Sequence, residues 1–459
     1  MFLNNQSLLE KIYFYNPWYQ DKKFTFLEEE KFQKREVFFV LERYLKKRLI
    51  ISLVGLRRTG KSTLMRQSIN YLLRDLSPQE IFFYEFSEQD NDLEEKLDYF
   101  FQNIFKKNIY RDGCFIFLDE LQYVKNWQLI LKKYYDTNSN LKFIVSGSTH
   151  LYLHRNTNES LAGRIIDIRI DPLSYTEWIN FTSSKKYPYL LKTENIFASS
   201  FFASIKENQD ILSFSKNFKT FVSFGEFPYF FQEDNLLDLN KYYQESILER
   251  IFSYDIKLFD IDNHQAFFSL FKILNRDSGT EMNLSNIARE ISINKATIKR
   301  YISILEKMFL YSQLSKYSTN LRKQLKSFKK NYISSLNLLR ASLNLDYWNT
   351  DRVFWGNIVE TFIFNEIKRH NFFSSNWDLF FYHDSSLKKE VDFVLSYEDK
   401  LLPIEVKTND KIYKNYFKGI LFFLEKYKQD RGILFYGGTE IKSEQFSKKE
   451  ILCVPYLMV

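Results

Sequence analysis

An α/β architecture is what this sequence predicts, with a mostly parallel sheet in its first half and a separate α/β region at its C-terminus. Three observations lead there. Between residues 49 and 170, short apolar runs alternate with helix-length amphipathic segments. One of those runs passes straight into a glycine-flanked loop and then into an amphipathic helix. From about Val353, a helix is followed by four further apolar runs. At 459 residues the chain exceeds what one hydrophobic core usually organises, so several domains are expected.

In chain order, residues 1–48 read as an N-terminal extension ending in a basic helix. Residues 49–180 hold the parallel-sheet core, with strands expected over 49–54, 81–86, 114–118 and 141–146, whose unbroken apolar character suits burial on both faces. Helices are expected over 61–74, 93–107 and 127–136. After Asp171-Pro172 the pattern turns helical and polar, and the Ser/Lys-rich stretch 182–186 marks a linker into a helical lid or connector, 181–280. A helix-turn-helix region occupies 281–345, and a C-terminal α/β domain occupies 346–459.

Gly55-Leu56-Arg57-Arg58-Thr59-Gly60-Lys61-Ser62 has the spacing Gly-x4-Gly-Lys-Ser/Thr, in the strand-to-helix setting that the motif requires. Glycines let such a loop curl until successive backbone N–H groups converge on phosphate oxygens, and the positive end of the next helix adds to the attraction. These residues and Thr63 are therefore expected to bind ATP as a P-loop NTPase core. Lys61 would neutralise the β and γ phosphates, and Ser62 would offer its hydroxyl to Mg²⁺, which prefers oxygen ligands. A chance loop is the alternative, weakened by the scarcity of glycine, 12 in the chain.

The apolar run 115–118 ends in Asp119 and Glu120, where the C-terminal edge of a parallel strand faces the ligand. Asp119 is expected to hold Mg²⁺ through water and Glu120 to polarise the attacking water; acidic surface residues at a strand end are the plain alternative. The run 142–149 ends in hydroxyls, of which Ser146 is expected to sense the γ phosphate, an ordinary Ser-Gly turn being the other explanation. Arg164, in Leu161-Ala162-Gly163-Arg164, is a candidate arginine finger, in cis or from another subunit of a homo-oligomer, or else a structural arginine.

These motifs, together with Leu118-Asp119-Glu120-Leu121-Gln122, Trp127, the Ser-Gly-Ser turn and the run Asp171-Pro172-Leu173-Ser174-Tyr175-Thr176-Glu177-Trp178, resemble the bacterial and archaeal AAA-type ATPases that carry a C-terminal domain of unknown function. The resemblance is strong over residues 35–180, weaker over 181–280, and returns in the C-terminal domain. Two departures stand out: Phe224-Gly225-Glu226-Phe227-Pro228 only loosely matches that group's Gly-Gly-x-Pro element, and Tyr332-Ile333-Ser334-Ser335 lacks the aspartate usually found there.

Residues 284–290 and 295–307 are expected as two helices around a turn, with Ile287, Ala288, Ile291, Ile293, Ile298, Ile302 and Leu305 spaced to share a core. That leaves Lys295, Lys299 and Arg300 free to face phosphates, and Asn283 and Thr297 to face bases. The resemblance implies a winged helix here; a small helical lid with a solvated face is the alternative.

Strands over 391–395 and 402–406 place Glu405 and Lys407 on one face, with Asp392 able to join them and Glu360 reaching in from a helix over 357–369. Asp392 and Glu405 could bind Mg²⁺, with Glu360 and Lys407 completing a site for phosphodiester cleavage. The pattern is similar to the restriction-endonuclease-like superfamily, whose signature is Asp followed by Glu-x-Lys on adjacent strands. An alternating charged hairpin is the alternative.

Several classes are disfavoured. Cys114 and Cys453 form no Cys-x-x-Cys, and the five histidines form no His-Glu-x-x-His, so thiolate zinc and zinc-hydrolase sites lack support. The His150/His154 pair reads as solvated. No run approaches the ~20 apolar residues of a membrane span, and the N-terminus breaks its apolar character at Asn4 and Asn5, so a cytoplasmic protein without a membrane partner is expected. A net charge of +8 permits DNA or another nucleic acid as partner. Two functions follow: an Mg²⁺-dependent ATPase coupled to a winged helix and a nuclease-like domain, or a nucleotide-switched DNA- or protein-binding regulator whose nuclease-like domain is inert. A small-molecule kinase is less suited, because Glu120 fits water activation.

Overall fold

Five apolar runs become the strands of one parallel sheet: β1 (Ile50–Val54), β2 (Ile81–Glu85), β3 (Cys114–Asp119), β4 (Leu141–Ser146) and β5 (Ile165–Arg169). The computed structural model describes residues 2–27, 32–147, 161–183, 187, 196, 213, 215–233, 235–374 and 377–459. Ser148, Thr149, His150, His154 and linker residues 184–186 therefore lie outside the described residues. The strand order is β2-β3-β4-β1-β5, so β4 separates the strand that enters the glycine loop from the strand that ends in Asp119. Both β1 and β4 are buried along their whole length, including Ser52, Lys142 and Ser146.

The chain divides into two units, Met1–Asp171 and Pro172–Val459. In the first, the connections carry α1 (Phe2–Tyr15), α2 (Glu36–Leu45), α3 (Lys61–Leu72), α4 (Leu93–Tyr99) and α5 (Trp127–Thr137). The helix expected to run to residue 107 instead widens into a π-helical turn over Phe100–Phe105, which Lys106 ends with a left-handed φ of 52°.

The N-terminal extension packs against the sheet. Leu8 and Ile12 of α1 pack in the same core as Ile50 and Phe82. Asn16 pairs with the outer strand β2 as another strand would: Phe83 N donates to Asn16 Oδ1 at 2.7 Å and Asn16 Nδ2 donates to Phe83 O at 2.8 Å. Trp18 Nε1 and Tyr19 OH both donate to Ile81 O, at 3.2 and 2.7 Å. An open sheet edge invites foreign pairing, and these side chains close it.

The second unit begins with α6 (Tyr175–Thr182), capped reciprocally by Ser174 and Glu177. Short helical turns fill 218–258, followed by α7 (His264–Arg276), α8 (Leu284–Glu290) and α9 (Lys295–Lys307). Asn283 and Asn294 cap α8 and α9 by accepting from Ser285 N and Thr297 N, and Ser292 takes a left-handed φ of 55° in the turn between them. Ile287, Ile298, Ile302 and Leu305 are buried. An antiparallel pair follows, β6 (Tyr311–Leu314) with β7 (Lys330–Ile333), joined by a segment that holds α10 (Leu321–Lys326).

The chain then forms α11 (Leu336–Leu343), the long α12 (Arg352–Ser374), and a mixed sheet ordered β12-β13-β11-β10-β9-β8. Its strands are β8 (Asp378–Asp384), β9 (Lys389–Tyr397), β10 (Lys400–Val406), β11 (Arg431–Tyr436), β12 (Lys442–Phe446) and β13 (Lys449–Pro455), with α13 (Phe417–Lys426) packed on it. Cys114 and Cys453 are both free thiols in buried strands. Among the described residues, no helix is long and apolar enough to cross a membrane.

Candidate functional site

The glycine loop leaves β1 at Val54 and enters α3 at Lys61. Gly55 has φ 146°, and a Cβ there would meet Ile170 O at 2.3 Å, so only glycine fits between β1 and the end of β5. Gly60 takes a left-handed φ of 95° as the cap of α3. Arg58 is bent to φ 66° despite its side chain, which fits a loop curled for function rather than for local comfort. Thr59 is buried and donates to Leu56 O at 2.9 Å, while Arg35, from the segment before α2, donates to Thr59 O at 2.9 Å. Lys61 folds over the loop, its Nζ donating to Gly55 O at 3.1 Å and Leu56 O at 2.8 Å. Leu56 is buried, Arg57, Ser62 and Thr63 are half-buried, and Arg58 is exposed.

Asp119 ends β3 and is almost fully buried. Its Oδ1 accepts from Glu120 N at 2.9 Å and from the Ser146 hydroxyl, while Oδ2 has no hydrogen-bond partner. Ser146 lies opposite Leu53 of β1, so β4 brings its hydroxyl between the loop strand and the acidic strand. Glu120 has a left-handed φ of 53° and accepts from Gln122 Nε2. Glu85, opposite Asp119 on β2, was not anticipated; burial and the charges of Asp119 and Glu120 raise its pKa. The orphaned buried oxygen of Asp119 has the hard-donor chemistry that fits Mg²⁺.

Arg164 lies away from the glycine loop of its own chain. It precedes β5 at the level of Ile50, which donates to its carbonyl at 2.8 Å, whereas the glycine loop follows Val54 at the other end of β1. At about 3.3 Å per residue, those ends are roughly 13 Å apart, and Arg164 instead holds Asp136 at 2.9 and 3.3 Å. Within one chain it does not reach the phosphate loop. Arg169, opposite Val54, occupies the loop end of β5 and donates to Asp171 Oδ1 at 2.6 Å. The parallel pairing of β1 and β5 separates the two arginines, and β5 was itself missed because its sequence alternates apolar residues with Asp167 and Arg169.

In the second unit, Glu360, Asp392, Glu405 and Lys407 converge as the sequence pattern anticipated. Val406 N donates to Asp392 Oδ2 at 2.8 Å, and Lys407 Nζ lies 2.5 Å from Glu405 Oε1 and 4.0 Å from Asp392 Oδ2. Burial pushes the Glu360 and Glu405 carboxyls up, and the neighbouring Asp392 adds to both. An unanticipated residue completes the cluster. Lys330 of β7 lies 2.8 Å from Glu390 Oε1, 3.1 Å from Glu360 Oε1 and 3.7 Å from Asp392 Oδ1, and Tyr332 OH donates to Glu360 Oε1 at 2.7 Å. The expected Mg²⁺ ligands Asp392 and Glu405 each face an ammonium group, while Glu405 Oε2 is buried without a hydrogen-bond partner. Among the described residues, no three His, Cys, Asp or Glu side chains form a metal cage.

A buried polar hub also went unread in the sequence. Arg369 of α12 donates to Glu226 Oε1 at 3.0 Å, Glu366 Oε1 at 2.8 Å and Leu173 O at 2.9 Å. Glu226 Oε2 accepts from Ser335 Oγ at 2.6 Å and Asn337 N at 2.9 Å. The Phe-Gly-Glu-Phe-Pro and Tyr-Ile-Ser-Ser elements that depart from the family pattern therefore meet in this hub. On α9, Lys295 and Lys299 are exposed, whereas Arg300 pairs with Asp262 at 2.7 Å, and the Asn283 amide oxygen is used by its cap.

Three family models match successive parts of the chain. Residues 47–179 match the model of an AAA domain, residues 215–348 a domain of unknown function designated DUF8612, and residues 355–457 another designated DUF4143. An uncharacterized protein of Methanocaldococcus jannaschii is 27% identical over 89% of this chain and 84% of its own. One from Haemophilus influenzae is 25% identical over 77% and 80%. Among solved structures, a Walker-type ATPase of Pyrococcus abyssi superposes with a TM-score of 0.41 at 14% identity, covering 68% of this chain and 95% of that one. The ORC1 protein of Aeropyrum pernix, in complex with DNA, gives a TM-score of 0.27 at 12% identity, covering 73% and 96%.

Proposed function

We propose that this protein binds and hydrolyses ATP with Mg²⁺ in its first unit and uses its second unit to hold nucleic acid. The observation that carries the first part is the strained loop between β1 and α3, with Lys61 folded over it and a buried Asp119 oxygen left without a donor across β4. Loop N–H groups and Lys61 bind the triphosphate, and Lys61 exchanges its two carbonyl acceptors for phosphate oxygens. Asp119 and Ser62 hold Mg²⁺, which when bound neutralises charge on the phosphates. Ser146 keeps the Asp119 carboxylate oriented. Glu120, set at the strand tip in its left-handed conformation, orients and deprotonates the attacking water. Arg169 is the better-placed arginine for phosphate charge in the same chain.

The α8–α9 pair with the β6–β7 hairpin behind it supports a winged-helix reading, and exposed Lys295 and Lys299 near the start of α9 suit phosphate contacts. The C-terminal sheet and its Asp392, Glu405 and Lys407 support a restriction-endonuclease-like origin. Lys330 among its carboxylates favours a holding or regulatory module over a nuclease.

Lys61→Ala tests the first part: ATP affinity, measured by calorimetry with Mg²⁺ present, is expected to be lost, and wild-type-like ATP binding and turnover would refute the assignment. For the second part, Lys295→Ala with Lys299→Ala is expected to weaken duplex DNA binding and flatten its salt dependence. Unchanged affinity and salt slope would remove α9 as the interface.

A further inference from the structure

The carboxylate cluster of the second unit contains a cation supplied by the chain itself. Lys330 is 4% exposed at its side chain, and its ammonium lies 3.1 Å from Glu360 and 3.7 Å from Asp392, on helix α12 and strand β9 respectively. Burying an ammonium so completely is tolerable only where carboxylates surround it, and Glu390 at 2.8 Å supplies a third. On the far side, Lys407 holds Glu405 Oε1; Glu405 Oε2 has no partner, but Asp392 Oδ2 accepts from Val406 N and its Oδ1 faces Lys330. A divalent ion bridging Glu360 and Asp392 would need the oxygens that Lys330 now occupies, and would lie within a few ångströms of its positive charge.

We infer that Lys330 is the resident cation of this site, and that the cluster takes up no Mg²⁺ or Mn²⁺ while β7 is in place. The lysine is tethered where it stands. It pairs with Leu314 across the hairpin and bridges Glu281, just before α8, while Met282 N donates to Lys329 O at 3.0 Å. Withdrawing the ammonium therefore requires moving the hairpin together with the entry to the helix-turn-helix. A divalent site could form only in a rearranged second unit, which gives the hairpin control over any metal-dependent chemistry there. The inference concerns the C-terminal carboxylates and deepens their reading as a holding module; it stands whether or not the first unit hydrolyses ATP.

The test is Mn²⁺ binding to the full chain without nucleotide, followed by electron paramagnetic resonance, in wild type, Asp392→Asn, Lys330→Arg, Lys330→Gln and the Lys330→Gln/Asp392→Asn double variant. Wild type and Asp392→Asn are expected to bind Mn²⁺ identically, and Lys330→Arg to match them. Lys330→Gln is expected to gain one site at least about tenfold tighter than any in wild type, and the double variant to lose it. An Asp392-dependent Mn²⁺ site in wild type would overturn the inference, as would a folded Lys330→Gln protein that gains none. Should Lys330→Gln fail to fold, the comparison of wild type with Asp392→Asn decides alone.

Discussion

Asp119 and Asp392 are both buried aspartates on a sheet within one lysine's reach of other functional groups, yet their surroundings differ in kind. Asp119 receives only neutral donors, the Ser146 hydroxyl and Glu120 N, and keeps one oxygen without a partner, while the nearby P-loop lysine rests on the carbonyls of Gly55 and Leu56. Asp392 has a backbone N–H and two ammonium groups, Lys330 and Lys407, at 3.7 and 4.0 Å. The first arrangement leaves a carboxylate oxygen open to a hydrated cation; the second already places two ammonium groups beside the aspartate. A set of acidic residues thus reveals little about metal binding until the positions of the cations are known.

The largest expected difference between the two sites is in ATP turnover. Replacing Glu120 with Gln removes the base but not the phosphate loop, so turnover is expected to fall by about 10²- to 10⁴-fold with ATP still bound. Asp392→Asn is expected to leave turnover unchanged in a steady-state phosphate-release assay. Equal losses in the two variants would break the contrast, because the second cluster would then share in the same chemistry.

Next in size is stability without nucleotide or divalent ions. Lys330→Met strands Glu360 and Asp392 in a buried site, and breaking a buried ion pair from one side costs roughly 3–5 kcal/mol. Lys61→Ala removes hydrogen bonds to the carbonyls of Gly55 and Leu56, each worth about 1 kcal/mol. Urea unfolding followed by hydrogen exchange in each unit measures both. A Lys330→Met protein as stable as wild type would mean that the carboxylates release their charge without it.

What the sequence disclosed follows the range of each signal. The glycine loop, the four apolar strands and the α8–α9 pair were legible because each is specified by neighbours a few residues apart; the observed α8 and α9 begin and end where periodicity and capping residues put them. β12 was illegible, since Lys-Ser-Glu-Gln-Phe is a half-exposed edge strand with no apolar face to announce it. Arg164 and Arg169 are five positions apart, one just before β5 and one at its end, and only the direction of that strand relative to β1 tells which is at the loop end. Lys330 lies 30 positions from its partner Glu360, and nothing local marks it as different from the exposed lysines around it. The hub of Glu226 and Arg369, 143 positions apart, is hidden for the same reason.

The smallest expected effect is a difference in pH response, and its sign is opposite in the two units. Burial raises the Glu366 carboxyl to about 7, even though Arg369 and the Tyr175 N–H oppose the shift. An unfolded glutamate titrates near ~4.3, so between these values the folded second unit binds more protons than the unfolded chain. The contribution of Glu366 is then fully present below the unfolded value and lost as pH rises through about 7. In the first unit, burial works against Asp90, but Lys11, Lys96 and Tyr84 outweigh it and hold the carboxyl at about 2. That stabilisation is present above the unfolded aspartate value of ~3.9 and is lost as pH falls through about 2. Hydrogen exchange corrected for intrinsic rates is therefore expected to show the second unit weakening from mildly acidic to neutral pH, with Glu366→Gln flattening that slope. The Asp90 contribution to the first unit is expected to be lost only in strong acid, with Asp90→Asn removing that loss. A Glu366→Gln variant that keeps the wild-type slope would show that Arg369 holds Glu366 ionised throughout, and the hub would then resemble the lysine-filled cluster more closely than its burial suggests.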